Sequence, residues 1–313
     1  MDMKRIDVHQ HVVPPFWADS LAAYGGDPSG WHCPPWSPEQ ALAFMDERGI
    51  AKGILSLTAP GIHGWPQAKR GDIAQRVNDY TARLVSDLPT RFGQFITLPL
   101  PDIDAALREI DRVCSVCQPE GVVFFSNYDN LYPGDARFEP LWQALSQREL
   151  VCFIHPTCPD VAMLEAIKGP IIDYPFDTTR AAVQLVANGV VRRYPSLKII
   201  LSHGGGYLPY AAHRFAQLLA NMDYADVPDA DSFIEDCQRF WFDTALSSSS
   251  TTLRTLLAFA RSDRILYGSD FPYAPRPVIQ TFTQMLDDSH ELSPAWKASI
   301  NWKNAQLLWQ PDE

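Results

Sequence analysis

The amino-acid sequence predicts a (β/α)8 barrel, in which eight parallel strands alternate with helices around one core. Short apolar runs recur eight times, and segments with helical spacing of apolar residues lie between them. The runs are continuously apolar, which is typical of parallel strands covered on both faces. Such a barrel needs about 250 residues. We therefore expect residues 1–313 to form one domain.

The limits of the predicted elements follow from local signals. Ser37 before Pro38 is typical of a helix start, and Gly49 after Arg48 is typical of a helix end. A doubly wound open sheet would require a glycine-rich turn after the first strand, and none follows His11. The predicted strands are 5–9, 53–57, 92–98, 121–125, 151–155, 198–203, 240–243 and 264–270, and the predicted helices include 38–48, 72–87, 103–116, 136–148, 178–193 and 251–261.

Two predicted loops, residues 12–36 and 156–177, are long for a compact barrel. They follow the first and the fifth predicted strands. Connections that follow the strands of a barrel lie at its C-terminal face, where active sites are built. We therefore expect both loops to border the functional site.

Composition and charge restrict the class of partner. A net charge of −11 and a pI near 5.1 argue against a nucleic-acid backbone as ligand. We expect neither a membrane span nor a secretory leader, because no run of about 18 apolar residues is present and the first residues are charged. The six cysteines do not resemble a disulfide framework, and we expect Cys114 and Cys117 to pack rather than to act in redox chemistry or bind zinc. A cytoplasmic protein is the simplest interpretation.

Residues that can bind a metal stand at the ends of the predicted strands. His9 and His11 are two residues apart at the end of the first, so their side chains point to the same side. His155 ends the fifth strand and Asp270 ends the eighth. Each residue alone has a structural explanation, such as a helix cap for Asp270. Because strand ends converge at one mouth of a barrel, their joint placement favours one divalent metal bound by all four.

Imidazole nitrogens with a carboxylate suit zinc and also manganese, iron or cobalt, and the ligand set does not choose among them. Zinc is our first candidate and manganese the second. Asp7 and Ser269 are candidates to orient the ligands from outside the metal site. His203, at the end of the sixth strand, is either a further ligand or the general acid/base. We favour the second role because an ordinary histidine titrates near about 6.5. The glycines at 204–206 predict close approach to a ligand or a tight turn.

Further residues are candidates for substrate contact because of their positions beside these strand ends. His63 follows the second strand, Trp31 and His32 lie in the first long loop, and Phe271 follows Asp270 directly. Each of them has a structural alternative, since aromatic residues can equally well fix a loop in place.

The motifs resemble those of the amidohydrolase-related decarboxylases, whose type enzyme is 2-amino-3-carboxymuconate-6-semialdehyde decarboxylase. The resemblance covers nearly the whole chain in order: His-Gln-His, then His-Pro, His-Gly-Gly-Gly and Gly-Ser-Asp-Phe-Pro. It implies an amidohydrolase-type barrel, a homodimer or homotetramer, and one divalent metal per subunit. It also implies that His203 transfers a proton and that the ligands are His9, His11, His155 and Asp270. Many aromatic-acid decarboxylases of this group carry Glu at the position of His9, which brings this chain nearer to the carboxymuconate type.

Other segments narrow the implied substrate. The carboxymuconate enzymes hold substrate carboxylates with two arginines, and the one donated by a neighbouring subunit corresponds to Arg214. In those enzymes the second arginine lies in the first long loop. The corresponding residues 12–36 of this chain contain no arginine, which implies a substrate with fewer carboxylates. Residues 26–31 and 56–63 resemble the 6-methylsalicylate decarboxylases. We therefore expect decarboxylation of a salicylate-type acid, with His203 or Asp270 as proton donor.

Three other interpretations are compatible with the sequence. A metal-dependent hydrolase of a lactone or an amide would use the same ligands, because both reactions begin with a polarised oxygen. A hydratase is a smaller alternative. An inactive barrel that only binds a ligand would be favoured if one of the five expected positions were missing, and all five are present.

Overall fold

A computed structural model describes residues 5–222, 224 and 227–310, and in it eight strands form one sheet in the order β1 to β8. Each strand pairs in parallel with the next. The predicted barrel is therefore confirmed, although the last three strands are shorter than the apolar runs that predicted them. The strands are β1 Arg5–Val12, β2 Ile50–Leu57, β3 Phe92–Thr97, β4 Gly121–Phe125, β5 Val151–His155, β6 Ile199–Leu201, β7 Trp241–Asp243 and β8 Ile265–Leu266.

The barrel closes through backbone hydrogen bonds between β1 and the segment that follows β8. Val8 N–H donates to the carbonyl of Tyr267 over 3.1 Å, and Asp270 N–H donates to the carbonyl of His9 over 2.8 Å. Gly268 lies at this closure, where a Cβ atom would stand 2.9 Å from Cβ of His9. Glycine is required here because any side chain would push the first and last strands apart.

Helices surround the sheet. Those predicted to start at residues 38, 103 and 251 begin within one residue of these positions, whereas those predicted to start at 72 and 136 begin at Gln67 and Glu139. The helix at 38–48 is confirmed with its Ser37 cap, whose hydroxyl accepts a hydrogen bond from Gln40 N–H. The helices are α1 Pro15–Leu21, α2 Pro38–Arg48, α3 Gln67–Asp87, α4 Ile103–Cys114, α5 Glu139–Gln147, α6 Gly169–Ala187, α7 Val190–Arg193, α8 Leu208–Ala220, α9 Ala230–Cys237, α10 Ser250–Phe259, α11 Arg276–Asp287, α12 Pro294–Ala298 and α13 Asn304–Leu307, with 3-10 turns at Ala22–Tyr24, Ala136–Phe138 and His203–Gly205 and a π-helical turn at Ser299–Lys303.

Both long loops contain helix that the sequence reading missed. The first loop includes α1, and the second ends at Gly169, where α6 begins, and not at residue 177. Pro170 lies in the first turn of α6, where its missing N–H costs nothing, and Pro175 lies inside the helix. Proline inside a helix is unusual, and the predicted helix therefore begins only after Pro175, at residue 178.

Two apolar layers hold the barrel together. One fills its interior below the site, and the other packs the sheet against the helices. Phe153 is fully buried in the inner layer, where its ring stacks on Phe95 with 5.6 Å between centroids. The first loop packs separately around Trp17, whose indole Nε1–H donates to the carbonyl of Gly61 over 2.8 Å. This layer fixes the loop beside the C-terminal mouth of the barrel.

The helices and the cysteines can be compared with what the composition predicts about membrane spans and disulfides. None of the helices within the described residues is long and apolar enough to cross a membrane. Cys114 and Cys117 are both free thiols, as are the remaining cysteines of the described chain, namely Cys33, Cys152, Cys158 and Cys237.

Candidate metal centre and substrate pocket

Four side chains from three elements converge at the C-terminal mouth of the barrel. His9 and His11 project from β1, His155 ends β5, and Asp270 follows β8. Their ligand atoms all lie within 4.8 Å of one another, and all four residues are buried. Nε2 of His9 lies 3.2 Å from Nε2 of His11, and Oδ1 of Asp270 lies 3.1 Å from the latter. The structure thus brings together the four residues that the sequence suggests as ligands.

The donor set fits a divalent metal ion. Atoms that bind one ion at about 2.0 to 2.2 Å lie roughly 3 to 4 Å apart, so this cluster needs only small movements to share an ion. Each histidine also has a partner on its outer nitrogen: Nδ1 lies 2.8 Å from Asp243 Oδ2 for His9, 3.1 Å from Ser56 Oγ for His11, and 2.7 Å from the Pro156 carbonyl for His155. Outer acceptors of this kind leave the Nε2 lone pairs free to bind a metal.

Asp243 is a residue that the sequence reading missed. Its Oδ2 faces His9, while its Oδ1 accepts hydrogen bonds from the backbone N–H groups of His203 and Ala245, each over 2.9 Å. One buried carboxylate therefore fixes both a candidate ligand and the backbone of the candidate acid/base. The signal was available, because Asp243 ends β7 as His155 ends β5.

Asp7 and Ser269 connect β1 to the segment that follows β8, and both lie outside the group of four ligands. Asp7 accepts hydrogen bonds from the Ser269 hydroxyl over 2.6 Å, from Ser269 N–H over 3.0 Å and from His9 N–H over 3.1 Å. Burial raises the pKa of Asp7 to about 7, although these donors oppose the increase. Asp7 thus holds the backbone of His9 against the segment that precedes Asp270.

The buried charges favour an ionised Asp270 among histidines of different basicity. Burial raises the pKa of Asp270, but hydrogen bonds from His11, His203 and His9 reverse this and hold the pKa well below its ordinary value. Burial also lowers the pKa of His155 well below its ordinary range, and it lowers the pKa of His11. His9 differs, because Asp243 and Asp270 outweigh burial and raise its pKa to about 10.

His203 lies beside the cluster but outside its ligand group. Its Nε2 is 3.5 Å from Oδ2 of Asp270, and its buried Nδ1 has no hydrogen-bond partner among the described residues. His203 and Asp270 both adopt left-handed backbone conformations, with φ of 53° and 63°. Such strain in residues other than glycine is concentrated at functional sites. The turn after His203 requires glycine, since a Cβ on Gly206 would lie 2.1 Å from the carbonyl oxygen of Pro175.

A pocket of about 520 Å³ opens above the cluster, and His155, His203 and Asp270 form part of its wall. Trp31, a predicted substrate contact, lines this pocket, and its indole Nε1–H donates to the carbonyl of Tyr273 over 3.1 Å. The remaining lining side chains are mainly aromatic or aliphatic. No lysine or arginine occurs among the described residues that line it. The pocket therefore presents aromatic and apolar surface to a ligand held at the cluster.

Four other predicted contact residues are not brought into this pocket. His32 is exposed, and Arg214 is exposed on α8. His63 lines a neighbouring cavity of about 330 Å³, where its Nε2 lies 2.7 Å from Oδ1 of Asp129. Phe271 is buried in the core, where its ring stacks on Phe44 with 4.1 Å between centroids. The backbone at Phe271 still runs parallel to β1, with His11 N–H donating to the Phe271 carbonyl over 2.7 Å, and its ring packs into the core.

The fold and the cluster define a (β/α)8 barrel with a metal-binding site at its C-terminal mouth. Residues 6–310 match the family model described as Amidohydrolase, so the chain belongs to the amidohydrolase family.

Named relatives narrow the class within this family. A decarboxylase of Aspergillus niger is 40% identical over 91% of this chain and 82% of its own length. The 6-methylsalicylic acid decarboxylase of Penicillium expansum is 39% identical over 96% and 94% of the two chains. A solved structure of a dihydroxybenzoic acid decarboxylase from Polaromonas, with bound manganese and the inhibitor 2-nitroresorcinol, is 25% identical with a TM-score of 0.78, over 98% of this chain and 96% of that chain. The protein is a carboxy-lyase of the amidohydrolase superfamily.

Proposed function

We propose that this carboxy-lyase removes the carboxyl group of a salicylate-type acid and releases carbon dioxide, with 6-methylsalicylate as the first candidate. The observation that carries the proposal is the buried group of three histidines and one aspartate at the base of an aromatic pocket. The pocket lining supports an acid with one carboxylate, because no lysine or arginine among its described residues is available to pair with a second one. The likeness to the 6-methylsalicylic acid decarboxylase of Penicillium expansum supports the same substrate class.

His9, His11, His155 and Asp270 would hold one divalent ion per subunit. When bound, such an ion supplies positive charge that orients the carboxylate and the neighbouring hydroxyl group and stabilises negative charge on oxygen. The three imidazoles favour zinc, whereas the manganese in the Polaromonas relative favours manganese. We propose zinc or manganese as the native ion, to be identified by elemental analysis of protein purified without added metal.

His203 is our candidate for the proton donor. It delivers a proton to the ring carbon that bears the carboxylate, the bond from that carbon to the carboxylate then breaks, and its electron pair restores the aromatic ring as carbon dioxide leaves. His203 regains a proton from water through the open pocket. Asp270 is the weaker candidate, because its hydrogen bonds to histidines lower its pKa and keep it ionised.

The other residues take supporting roles in this proposal. Trp31 and Tyr273 contact the aromatic ring, since both line the pocket and the Tyr273 ring lies 5.7 Å from that of His11. His63 lies in the adjoining cavity, and with exposed His32 and buried Phe271 it is not required for turnover. We infer that exposed Arg214 serves a neighbouring subunit in a homodimer or homotetramer, which light scattering would test. Residues 1–313 act as one domain, and the free cysteines support a reducing, cytoplasmic setting.

Product analysis tests the proposed reaction directly. Metal-loaded protein is incubated with 6-methylsalicylate in deuterium oxide, and the expected products are 3-methylphenol with one ring deuterium and carbon dioxide. A panel of aryl lactones is assayed in parallel for release of a carboxylic acid. Lactone hydrolysis without decarboxylation of salicylate, 6-methylsalicylate or dihydroxybenzoates would replace the proposal with hydrolysis.

A further inference from the structure

The pocket is larger than the acid that the proposed function requires. 6-Methylsalicylate has eleven non-hydrogen atoms, and it would fill only about 330 Å³ even if each atom took the share of a liquid water molecule, about 30 Å³. The pocket measures about 520 Å³. After 6-methylsalicylate has occupied the part beside the metal cluster, space for several more non-hydrogen atoms remains.

The remaining space has an apolar wall. The lining residues on the surrounding helices include four with hydrocarbon side chains: Ile171 on α6, Leu256 on α10, and Pro275 and Val278 at the start of α11. We call these four residues the apolar arm. Their side chains carry no hydrogen-bonding group, although the hydroxyl groups of Thr252 and Thr255 on α10 also line the pocket. A polar substituent in contact with the arm itself would lose its contacts with water without replacement. A hydrocarbon substituent would gain from the same transfer.

Three of the four arm residues are exposed at the surface end of the pocket, whereas Leu256 is buried. Ile171 is 62% exposed and Val278 is 37% exposed, whereas His155 and Asp270 are only 3% and 8% exposed. The pocket therefore runs from the buried cluster to an apolar rim at the surface. A ring whose carboxylate lies at the cluster cannot extend a substituent below His9, because Phe153 fills the interior of the barrel there, whereas the pocket is open towards this rim.

We propose that the substrate is a hydroxylated aromatic monoacid with an apolar substituent longer than methyl, and that the apolar arm binds that substituent. This inference rests on the proposed function. It assigns Ile171, Leu256, Pro275 and Val278 as determinants of substituent length. Asp27, which also lines the pocket, adds negative charge where no lysine or arginine of the described lining offsets it, so a substituent that ends in a carboxylate is disfavoured.

The first experiment measures how turnover depends on substituent length. Values of kcat/KM are determined with metal-loaded enzyme for salicylate and its 6-methyl, 6-propyl and 6-pentyl derivatives. We expect an increase of about two- to fourfold per added methylene, as expected for the transfer of a CH2 group from water to an apolar site. Decarboxylation of 6-methylsalicylate with at least tenfold lower kcat/KM for the propyl and pentyl acids would overturn the inference and leave the proposed function intact.

A variant locates the effect on the arm. Val278→Trp places an indole in the arm at a partly exposed position, and it should lower the ratio of kcat/KM for the pentyl acid to that for the methyl acid at least about tenfold. The matched control is Val116→Trp, since Val116 is 74% exposed beyond the end of α4, at the opposite face of the barrel. The control should leave the ratio unchanged. An unchanged ratio in Val278→Trp would contradict the role of the arm.

A binding measurement separates failure of this inference from failure of the proposed function. Calorimetry gives dissociation constants for 2-nitrophenol carrying a 3-methyl or a 3-pentyl group, in which nitro replaces the carboxylate and no bond can break. We expect the pentyl compound to bind at least about tenfold more tightly, and Val278→Trp to remove the difference. If the pentyl compound binds more tightly but no acid is decarboxylated, only the proposed reaction is contradicted. Equal binding of the two compounds would overturn the inference.

Discussion

Asp243 and His9 are joined by a hydrogen bond of 2.8 Å between Oδ2 and Nδ1, and both side chains are fully buried. The carboxylate of Asp243 accepts the proton of Nδ1, so a metal bound at the cluster has to displace only the proton on Nε2. The same carboxylate accepts the backbone N–H of His203 through its other oxygen. The position of the candidate proton donor is therefore linked to the tautomer of a candidate ligand.

Asp243→Asn should weaken metal binding about 10- to 100-fold. The amide oxygen of the new asparagine can still accept the hydrogen bonds from the backbone N–H groups of His203 and Ala245. The NH2 group of the asparagine would then face His9 and donate to Nδ1. His9 would then carry its proton on Nε2, where it cannot bind a metal. Competition with a chromophoric chelator measures the change. Unaltered affinity would show that Asp243 does not set the tautomer.

Ser56→Ala is the matched control for that variant. Ser56 Oγ lies 3.1 Å from Nδ1 of His11, but the Ser56 carbonyl lies 3.3 Å from the same nitrogen and remains after the substitution. The loss of metal affinity should therefore be at least threefold smaller than for Asp243→Asn, because an outer acceptor is retained. An equal loss in both variants would indicate a general disturbance of the site.

His203→Ala should separate turnover from metal binding. The side chain lies 3.5 Å from Asp270 but outside the group of four ligand atoms, so the metal content should match that of the unaltered protein. The value of kcat should fall about 10²- to 10⁴-fold, the usual contribution of a positioned acid or base. Elemental analysis and initial rates are measured on the same sample. If the metal were lost, His203 would be a ligand and its assigned role would be wrong.

Metal affinity should increase with pH between about 6 and 8. The carboxylates of Asp243 and Asp270 raise the pKa of His9 to about 10, so a metal that binds Nε2 must displace a proton throughout this range. His155 and His11 do not compete, because burial lowers their pKa values. The dissociation constant should fall about tenfold per pH unit, as measured with a chelator of known pH dependence. A constant value from pH 6 to 8 would contradict the protonated state of His9.

Asp177→Ala should destabilise the fold by about 3 kcal/mol. Buried Asp177 accepts hydrogen bonds from Ser126 Oγ, from Asn127 Nδ2 over 2.7 Å and from Tyr132 Oη over 2.5 Å, and so joins α6 to the loop after β4. Its removal leaves these donors without an acceptor. Urea unfolding measures the change. Exposed Glu165→Ala is the control, with an expected change within about 0.5 kcal/mol, and an equal loss in both variants would refute the role of Asp177.

The sequence predicted the barrel and its candidate ligands because both depend on local patterns. Short apolar runs define parallel strands, and a residue such as His155 at the end of a run must lie at the mouth of the barrel. The role of Asp243 was missed although it ends β7, because its partners His9 and His203 come from distant parts of the chain. The orientation of Phe271 could not be predicted from the sequence either, since it depends on the left-handed backbone at Asp270 and on packing against Phe44.

Residues near the mouth show a similar limit. His63 follows β2 as expected, but the turn after the strand takes it into a neighbouring cavity beside Asp129. Thr58 and Ala59, which directly follow β2, line the main pocket instead. Position after a strand predicts which face of the barrel a residue reaches, but loop conformation decides which cavity it enters.

The most direct test of the account is carbon dioxide release as a function of metal content. Protein freed of metal by chelation is titrated with zinc or manganese in the presence of 6-methylsalicylate, with His155→Ala treated in parallel. We expect release to rise with bound metal and to level off at about one ion per chain, and we expect His155→Ala neither to retain the ion nor to release carbon dioxide. Full release from metal-free protein, or from His155→Ala, would contradict a metal-dependent decarboxylase built on His9, His11, His155 and Asp270.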